Sequence, residues 1–240
     1  MDQNRPVTKK ELKALRRMEK MSQAQEGKSS DTTKWIILGL GVLAFVGAFA
    51  FIVFSIKQSK NKPVTLSSSG HVKGSASASA TLVEFGDFQC PACKSYEPFV
   101  RRATADFDGR LKLIFKHFPL TSIHPNAMLA ARVSIAADKQ GKFWEMHDWL
   151  YDEQDAWAGL PAAAAQTKME EAAKEFGLNV DQFREDINNP ETDDQILEHQ
   201  DEGIAIGVAS TPTFFINNKK LESNPQDYED FKKLIEQEIK

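Results

Sequence analysis

Cysteine is the scarcest informative residue in this chain: 240 residues hold two, Cys90 and Cys93. Two cysteines exclude the multi-bridge framework of a small secreted domain. They also fall short of the four ligands of a structural zinc site, and the five histidines offer no H-x₃₋₅-H spacing to complete one. A net basic balance is missing from most of the chain. Residues 63–240 carry a net charge of −11, against +7 for residues 1–62. That balance argues against nucleic acid as a partner and reads as a solvated acidic surface. Residues 35–56 lack both charge and proline, residues 57–79 lack any apolar period, and no internal repeat is visible.

What is present turns on the two cysteines. They stand as Cys90-Pro91-Ala92-Cys93, after a short apolar run, Ala80-Thr81-Leu82-Val83-Glu84-Phe85-Gly86, that reads as a strand. A helix is expected over 94–107. The i, i+3 spacing puts both sulfurs on one turn at the helix start, where they can close a small disulfide ring. There the unpaired N–H groups and the helix dipole stabilise a thiolate and lower its pKa. This is the chemistry of a redox-active dithiol. A structural disulfide closing so short a loop restrains the unfolded chain little, and a metal site lacks the other ligands. Both remain as the lesser readings.

The uncharged run over 35–56 spans 22 residues, enough at 1.5 Å per residue to cross a hydrocarbon core of about 30 Å. Its Ala48-Phe49-Ala50 triplet lies inside the apolar stretch rather than after it, so a retained anchor is expected, not a cleaved signal peptide. Nine basic residues precede the run. The positive-inside bias therefore places 1–34 in the cytoplasm as a basic tail and the larger C-terminal part outside the cell membrane, where disulfides persist. Thr8-Lys9-Lys10-Glu11 fits a capping box, but the tail reads chiefly as a disordered topology signal. Residues 57–79, rich in serine, read as a flexible linker.

Residues 80–240 have the size of one domain. A second strand is expected over 111–118, giving a βαβ unit with parallel strands. Helices are expected over 126–140, 143–151, 166–176, 181–188 and 192–206. Val208-Ala209-Ser210-Thr211-Pro212-Thr213-Phe214-Phe215-Ile216-Asn217 then brings a strand directly after a proline, Asn217-Asn218 suits a tight turn, and a last amphipathic helix starts near Gln226. The expected fold class is α/β: a βαβ start and a ββα end, with a helical insertion at about 120–207 and one transmembrane helix before the domain.

The segment Val83-Glu84-Phe85-Gly86-Asp87-Phe88-Gln89-Cys90-Pro91-Ala92-Cys93 resembles the active site of DsbA-like thiol:disulfide oxidoreductases with a thioredoxin fold, in their membrane-anchored branch. Lys116-His117-Phe118-Pro119-Leu120, His124-Pro125-Asn126-Ala127 and residues 140–148 resemble that branch too, and residues 207–217 resemble its cis-proline segment. The resemblance implies that Cys90 is the nucleophile and Cys93 the resolving thiol. It implies that Pro212 is cis, with Thr211 and Thr213 beside the disulfide, and that Glu84 lies beneath the disulfide and moves a proton. The plain alternatives are a trans proline at an edge strand and a solvent-facing Glu84; Asp87 reads as a turn residue. His117, His124 and His147 are assigned structural contacts, and Phe143, Trp144, Trp149, Tyr151 and Trp157 are assigned to the core.

The implied reaction oxidises the thiols of cysteine-containing client proteins by dithiol–disulfide exchange, with no metal and no organic cofactor. Reoxidation would fall to a quinone-linked membrane oxidase of the DsbB or vitamin-K-epoxide-reductase (VKOR) type. Ala92 supplies no cationic donor and Thr211 resembles the disulfide isomerases, so isomerase or reductase activity is the alternative direction. A tethered chaperone-like binding module with a structural disulfide, and a metallochaperone, are the readings from other classes.

Overall fold

In the computed structural model the backbone is described for residues 8–59 and 64–239, and the side chains of 24–34, 44, 50 and 52–59 lie outside the described residues. So do residues 1–7 of the expected tail and 60–63 of the expected linker. The chain divides into two units, Met1–Asn61 and Lys62–Lys240.

The first unit is one helix, α1 (Lys9–Ser59). Thr8 and Glu11 close its start reciprocally: the Thr8 N–H donates to Glu11 Oε2 at 2.9 Å and the Glu11 N–H donates to Thr8 Oγ1 at 3.4 Å. The segment expected to be a disordered tail is therefore helical from Lys9. Four consecutive residues, Trp35, Ile36, Ile37 and Leu38, are each 58–72% exposed, and Val42, Phe45 and Phe49 follow suit. At 100° per residue those four cover every side of the helix, so its apolar surface faces outward all round. Among the described residues, no helix is long and apolar enough to cross a membrane; the run 35–56 includes positions whose side chains lie outside them.

The second unit is built on a five-stranded sheet in the order β1-β3-β2-β4-β5. β2 (Ala80–Gly86) and β3 (Leu111–His117) run parallel, joined by α2 (Pro91–Asp106). β4 (Thr213–Ile216) pairs antiparallel with β2, Leu82 opposite Ile216. Asn217 and Asn218, at φ +48° and +66°, turn the chain into β5 (Lys219–Lys220) as a primed hairpin turn requires. α9 (Tyr228–Glu238) closes the domain. The two-residue period of β2 sorts its side chains. Ala80 and Leu82 pack with Val100 and Ala103 of α2 and Phe231 and Ile235 of α9, while Val83 and Phe85 join Ile114, Phe118 and Phe215 on the other face. Glu84 shares the parity of Leu82 and is thereby aimed at α2.

Six helices separate β3 from β4: α3 (Ala127–Asp138), α4 (Phe143–Asp152), α5 (Gln154–Trp157), α6 (Ala162–Glu175), α7 (Val180–Ile187) and α8 (Pro190–Ala205). α7 and α8 start one and two residues before the expected positions because Asn179 and Asn189 cap them, their side chains accepting from the first-turn N–H groups. Trp157, Met146, Leu150, Tyr151 and Phe183 of this layer form one buried cluster with Phe88, Cys90 and Cys93. The insertion thus walls in the cysteines.

The expected flexible linker requires a correction. Within 57–79 lies a strand, β1 (His71–Lys73), antiparallel to β3 with Val72 opposite Ile114, and Val64 and Leu66 pack on the cluster around Phe85. The pattern was hidden because it is inverted: His71 points inward at 6% exposure and Val72 outward at 46%. Gly70, at φ +124°, lets β1 come close to β3, since a Cβ there would sit 2.8 Å from the Phe115 carbonyl oxygen.

Candidate active site

The site begins where β2 ends. The Asp87 carboxylate accepts from the Gln89 N–H at 2.8 Å, and the Asp87 carbonyl accepts from the Cys90 N–H at 3.0 Å. These bonds turn the chain so that Cys90 becomes the N-cap of α2 (φ −74°, ψ 121°) and Pro91 the first helical residue. Proline fits there because that N–H has no helical partner to lose. Asp87 is more than a turn residue. It is 2% exposed, and its other oxygen accepts from the Leu120 N–H at 2.9 Å and lies 2.6 Å from His124 Nδ1. Gln89 ties the loop to the insertion, accepting from the Asn126 N–H and donating to the Ala158 carbonyl. Gln154 donates to the carbonyls of Phe88 and Cys90.

Both cysteines are free thiols, Cys90 7% exposed and Cys93 fully buried. Their environments push them apart. The Cys90 pKa falls to about 5, first because the Cys93 thiol donates a hydrogen bond to its sulfur; burial opposes this, and Thr211 and the N–H groups of Cys93 and Ala92 reinforce it. Cys93 rises well above the ordinary thiol range, through burial, the bond it gives to Cys90, and the nearby charges of Glu84 and Cys90. At neutral pH the pair is a thiolate beside a neutral thiol.

The Thr211–Pro212 bond is cis. The Thr211 carbonyl lies 3.4 Å from Cys90 Sγ, and the Thr211 hydroxyl is buried without a hydrogen-bond partner. The nucleophile is thus held between the start of α2 and the residue before the cis proline. Glu84 is 1% exposed; burial first, then the charge of Glu97, raises its carboxyl well above the ordinary range. Burial thus favours its protonated form, and its Oε2 has no partner.

Four residues that sequence reasoning left out of the site lie near this acid or near its neighbour Glu97. Glu97, 4% exposed, also has a raised pKa, chiefly from burial. Its position four residues after Cys93 puts it one turn further along the same helix face, which was a readable signal. Tyr151, assigned to the core, is buried as expected but carries its hydroxyl among Cys93, Glu84 and Glu97. His147 and Asp148 pair at 2.9 Å and lie close to Glu97. The oxygens of Glu97 and Asp148 could offer ligands to a metal together with His147, but Arg101 already meets them, with Nε 3.2 Å from Glu97 and a terminal nitrogen 3.9 Å from Asp148. Of the remaining histidines, His71 and His117 share a 3.1 Å contact deep behind the site.

A family model described as Thioredoxin matches residues 66–237. The chain is 26% identical over 211 residues to the probable disulfide bond formation protein D of Bacillus anthracis, covering 85% of this chain and 94% of that protein. It is similar to the crystal structure of oxidised BdbD from Bacillus subtilis, with a TM-score of 0.62 and 26% identity over 70% of this chain and 91% of that one. It is also 37% identical over 150 residues to the Na(+)/H(+) antiporter NhaA 3 of Salinispora tropica. That match takes in 62% of this chain but only 22% of the antiporter's length.

Proposed function

Since the chain belongs to the thioredoxin family, we propose that it is a DsbA-like thiol:disulfide oxidoreductase that oxidises client dithiols outside a membrane to which α1 tethers it. The observation that carries the reading is the split between the two thiols: Cys90 at about 5 and Cys93 raised. In the oxidised protein a client thiolate attacks Cys90, forming a client–Cys90 disulfide and expelling Cys93, which takes up a proton. A second client thiolate then attacks the client sulfur of the mixed disulfide, and Cys90 leaves as a thiolate. The client loses two electrons and the Cys90/Cys93 pair gains them. A thiolate so stable is a good leaving group and favours the reduced protein, which makes the oxidised protein a disulfide donor.

Membrane tethering is supported by the apolar surface that α1 exposes on every side over 35–38 and by the nine basic residues before it. A quinone-linked membrane oxidase of the DsbB or VKOR type is the partner this reading requires for turnover, and client proteins with unpaired cysteines are its substrates. Isomerase activity is the second direction, kept open by the hydroxyl of Thr211 at the cis proline. The deciding experiment is the reduction potential of the full chain in glutathione buffers, read by alkylation mass shift. A value near about −120 mV supports the oxidase, and one near about −270 mV overturns it in favour of a reductase. Loss of exchange in Cys90→Ala with client binding retained is expected of the enzyme; exchange-inactive wild type would leave only a binding module.

A further inference from the structure

We propose that His124 is a positioning residue for the exchange reaction: it clamps the Asp87 carboxylate so that the Asp87 N–H stays aimed at the Cys93 sulfur and stabilises it as a thiolate when it attacks or leaves. The inference rests on the dithiol–disulfide reading above and adds what holds the resolving thiol's donor in place.

Three observations carry it. First, the loop after β3 runs alongside the turn that leads to the cysteines. The Phe118 N–H donates to the Gly86 carbonyl at 2.8 Å, the Leu120 N–H to Asp87 Oδ2 at 2.9 Å, and the Asn126 N–H to Gln89 Oε1 at 2.6 Å. His124 adds a side-chain tie, its Nδ1 2.6 Å from Asp87 Oδ2. A carboxylate only accepts, so Nδ1 is the atom that carries the proton. Second, the Asp87 side chain is fully buried, while that of His124 is 15% exposed. A carboxylate taken out of water depends on each donor it meets. Asp87 has the N–H groups of Gln89 and Leu120 and the His124 ring. Third, the Asp87 backbone faces both cysteines. Its carbonyl accepts from the Cys90 N–H at 3.0 Å. Its N–H is hydrogen-bonded to the Cys93 sulfur; burial raises that thiol's pKa most, and the Asp87 N–H pulls the other way.

In ring closure the Cys93 proton passes to solvent, and the Cys93 thiolate attacks the Cys90 sulfur of a mixed disulfide. The Cys90–Cys93 bond forms, and the partner's sulfur leaves with the electron pair of the bond that breaks. Ring opening runs the same step backward and expels Cys93 as a thiolate. Negative charge therefore sits on the Cys93 sulfur on the way in both directions, whereas in the end states Cys93 is a neutral thiol or half of a disulfide. A donor on that sulfur speeds both directions alike and leaves the equilibrium where it was. Without His124 the buried carboxylate loses a donor, the turn it closes slackens, and the Asp87 N–H loses its aim. His124 acts through Asp87 and not on either sulfur.

The test mixes the reduced full chain with oxidised glutathione at neutral pH and follows, by acid quench and mass, the closure of the Cys90–glutathione mixed disulfide by Cys93. Reduced glutathione added to the oxidised chain gives the opening rate. His124→Leu should slow closure and opening about 10-fold each, the low end for one hydrogen bond to a charged group. The reduction potential and the Cys90 alkylation midpoint near 5 should stay put. His124→Asn, whose amide nitrogen hangs from Cγ as Nδ1 does, should restore most of both rates. Wild-type closure in His124→Leu overturns the role while leaving the exchange chemistry standing. Equal slowing in the Leu and Asn variants overturns it too, since the ring's shape and not its donor would then matter, and so does a shifted potential, the mark of a site loosened in one end state. A wild type that never exchanges with glutathione sinks both this inference and the dithiol reading. If His124→Leu does not fold, His124→Ala is read in the same assay on the same terms.

Discussion

Thr211→Val tests how the site sets the strength of the oxidant. The substitution keeps the shape and removes a hydroxyl that is buried without a partner, on the side chain that helps hold the Cys90 pKa down. A hydrogen bond to a charged group contributes about 1.5–3 kcal/mol net. At 1.36 kcal/mol per pKa unit this is roughly 1–2 units, taking Cys90 from about 5 to about 6–7. At pH 7 the reduced form then loses about 1.3–2.3 kcal/mol of thiolate stabilisation. With about 30 mV per 1.4 kcal/mol for a two-electron couple, the potential should fall by about 30–50 mV. Glutathione equilibration gives the potential, and absorbance of the thiolate near 240 nm against pH gives the Cys90 midpoint. An unchanged midpoint and potential would show that the hydroxyl is no donor to Cys90. The wild type carries a companion test. Between pH 6 and 8 only Cys93 binds a proton on reduction, so the potential should change by about 30 mV per pH unit. A slope near 59 mV would mean that Cys90 also stays protonated.

Cys93→Ala leaves the nucleophile without its resolving thiol and should trap client–Cys90 mixed disulfides on non-reducing gels; it should also raise the Cys90 midpoint more than Thr211→Val does, because the Cys93 bond is the largest stabilising cause. His199 is held near 4 by burial and by the charges of His71 and Lys116. A histidine kept neutral in the fold binds fewer protons than in the unfolded chain below about pH 6.5, so stability should fall from there, by about 2 kcal/mol at pH 5; denaturant titrations should show that slope flattened in His199→Gln. Lys116 is fully buried and paired with Glu202. Glu202→Ala should cost about 3–5 kcal/mol by stranding the ammonium, and adding Lys116→Met should recover most of it; equal midpoints for the single and double variants in urea would contradict this.

The parts of this protein that depend on local order were readable along the chain. The Cys90-x-x-Cys93 spacing on a helix start, the strand before it, the apolar period of α9 and the paired asparagines of the β4–β5 turn each act within a few residues, and each lies near where the local pattern puts it. The uncharged run 35–56 is equally local, as is the capping box that starts α1 at Lys9. What only the tertiary structure decided depends on partners far off in sequence. β1 reads as linker in the sequence because its inward residue is a histidine, stacked on Phe143 with ring centroids 3.6 Å apart, and its outward one a valine. Asp87 became a hub only when the chain around Leu120 and His124 returned to it. Tyr151 reads in sequence as one more aromatic of an amphipathic helix, and its hydroxyl comes to lie near Cys93, Glu84 and Glu97 only because α4 docks against α2. A hydrophobic period records which face of an element is buried. It cannot record what polar group waits on the other side, because that is settled by the packing of whole elements against one another.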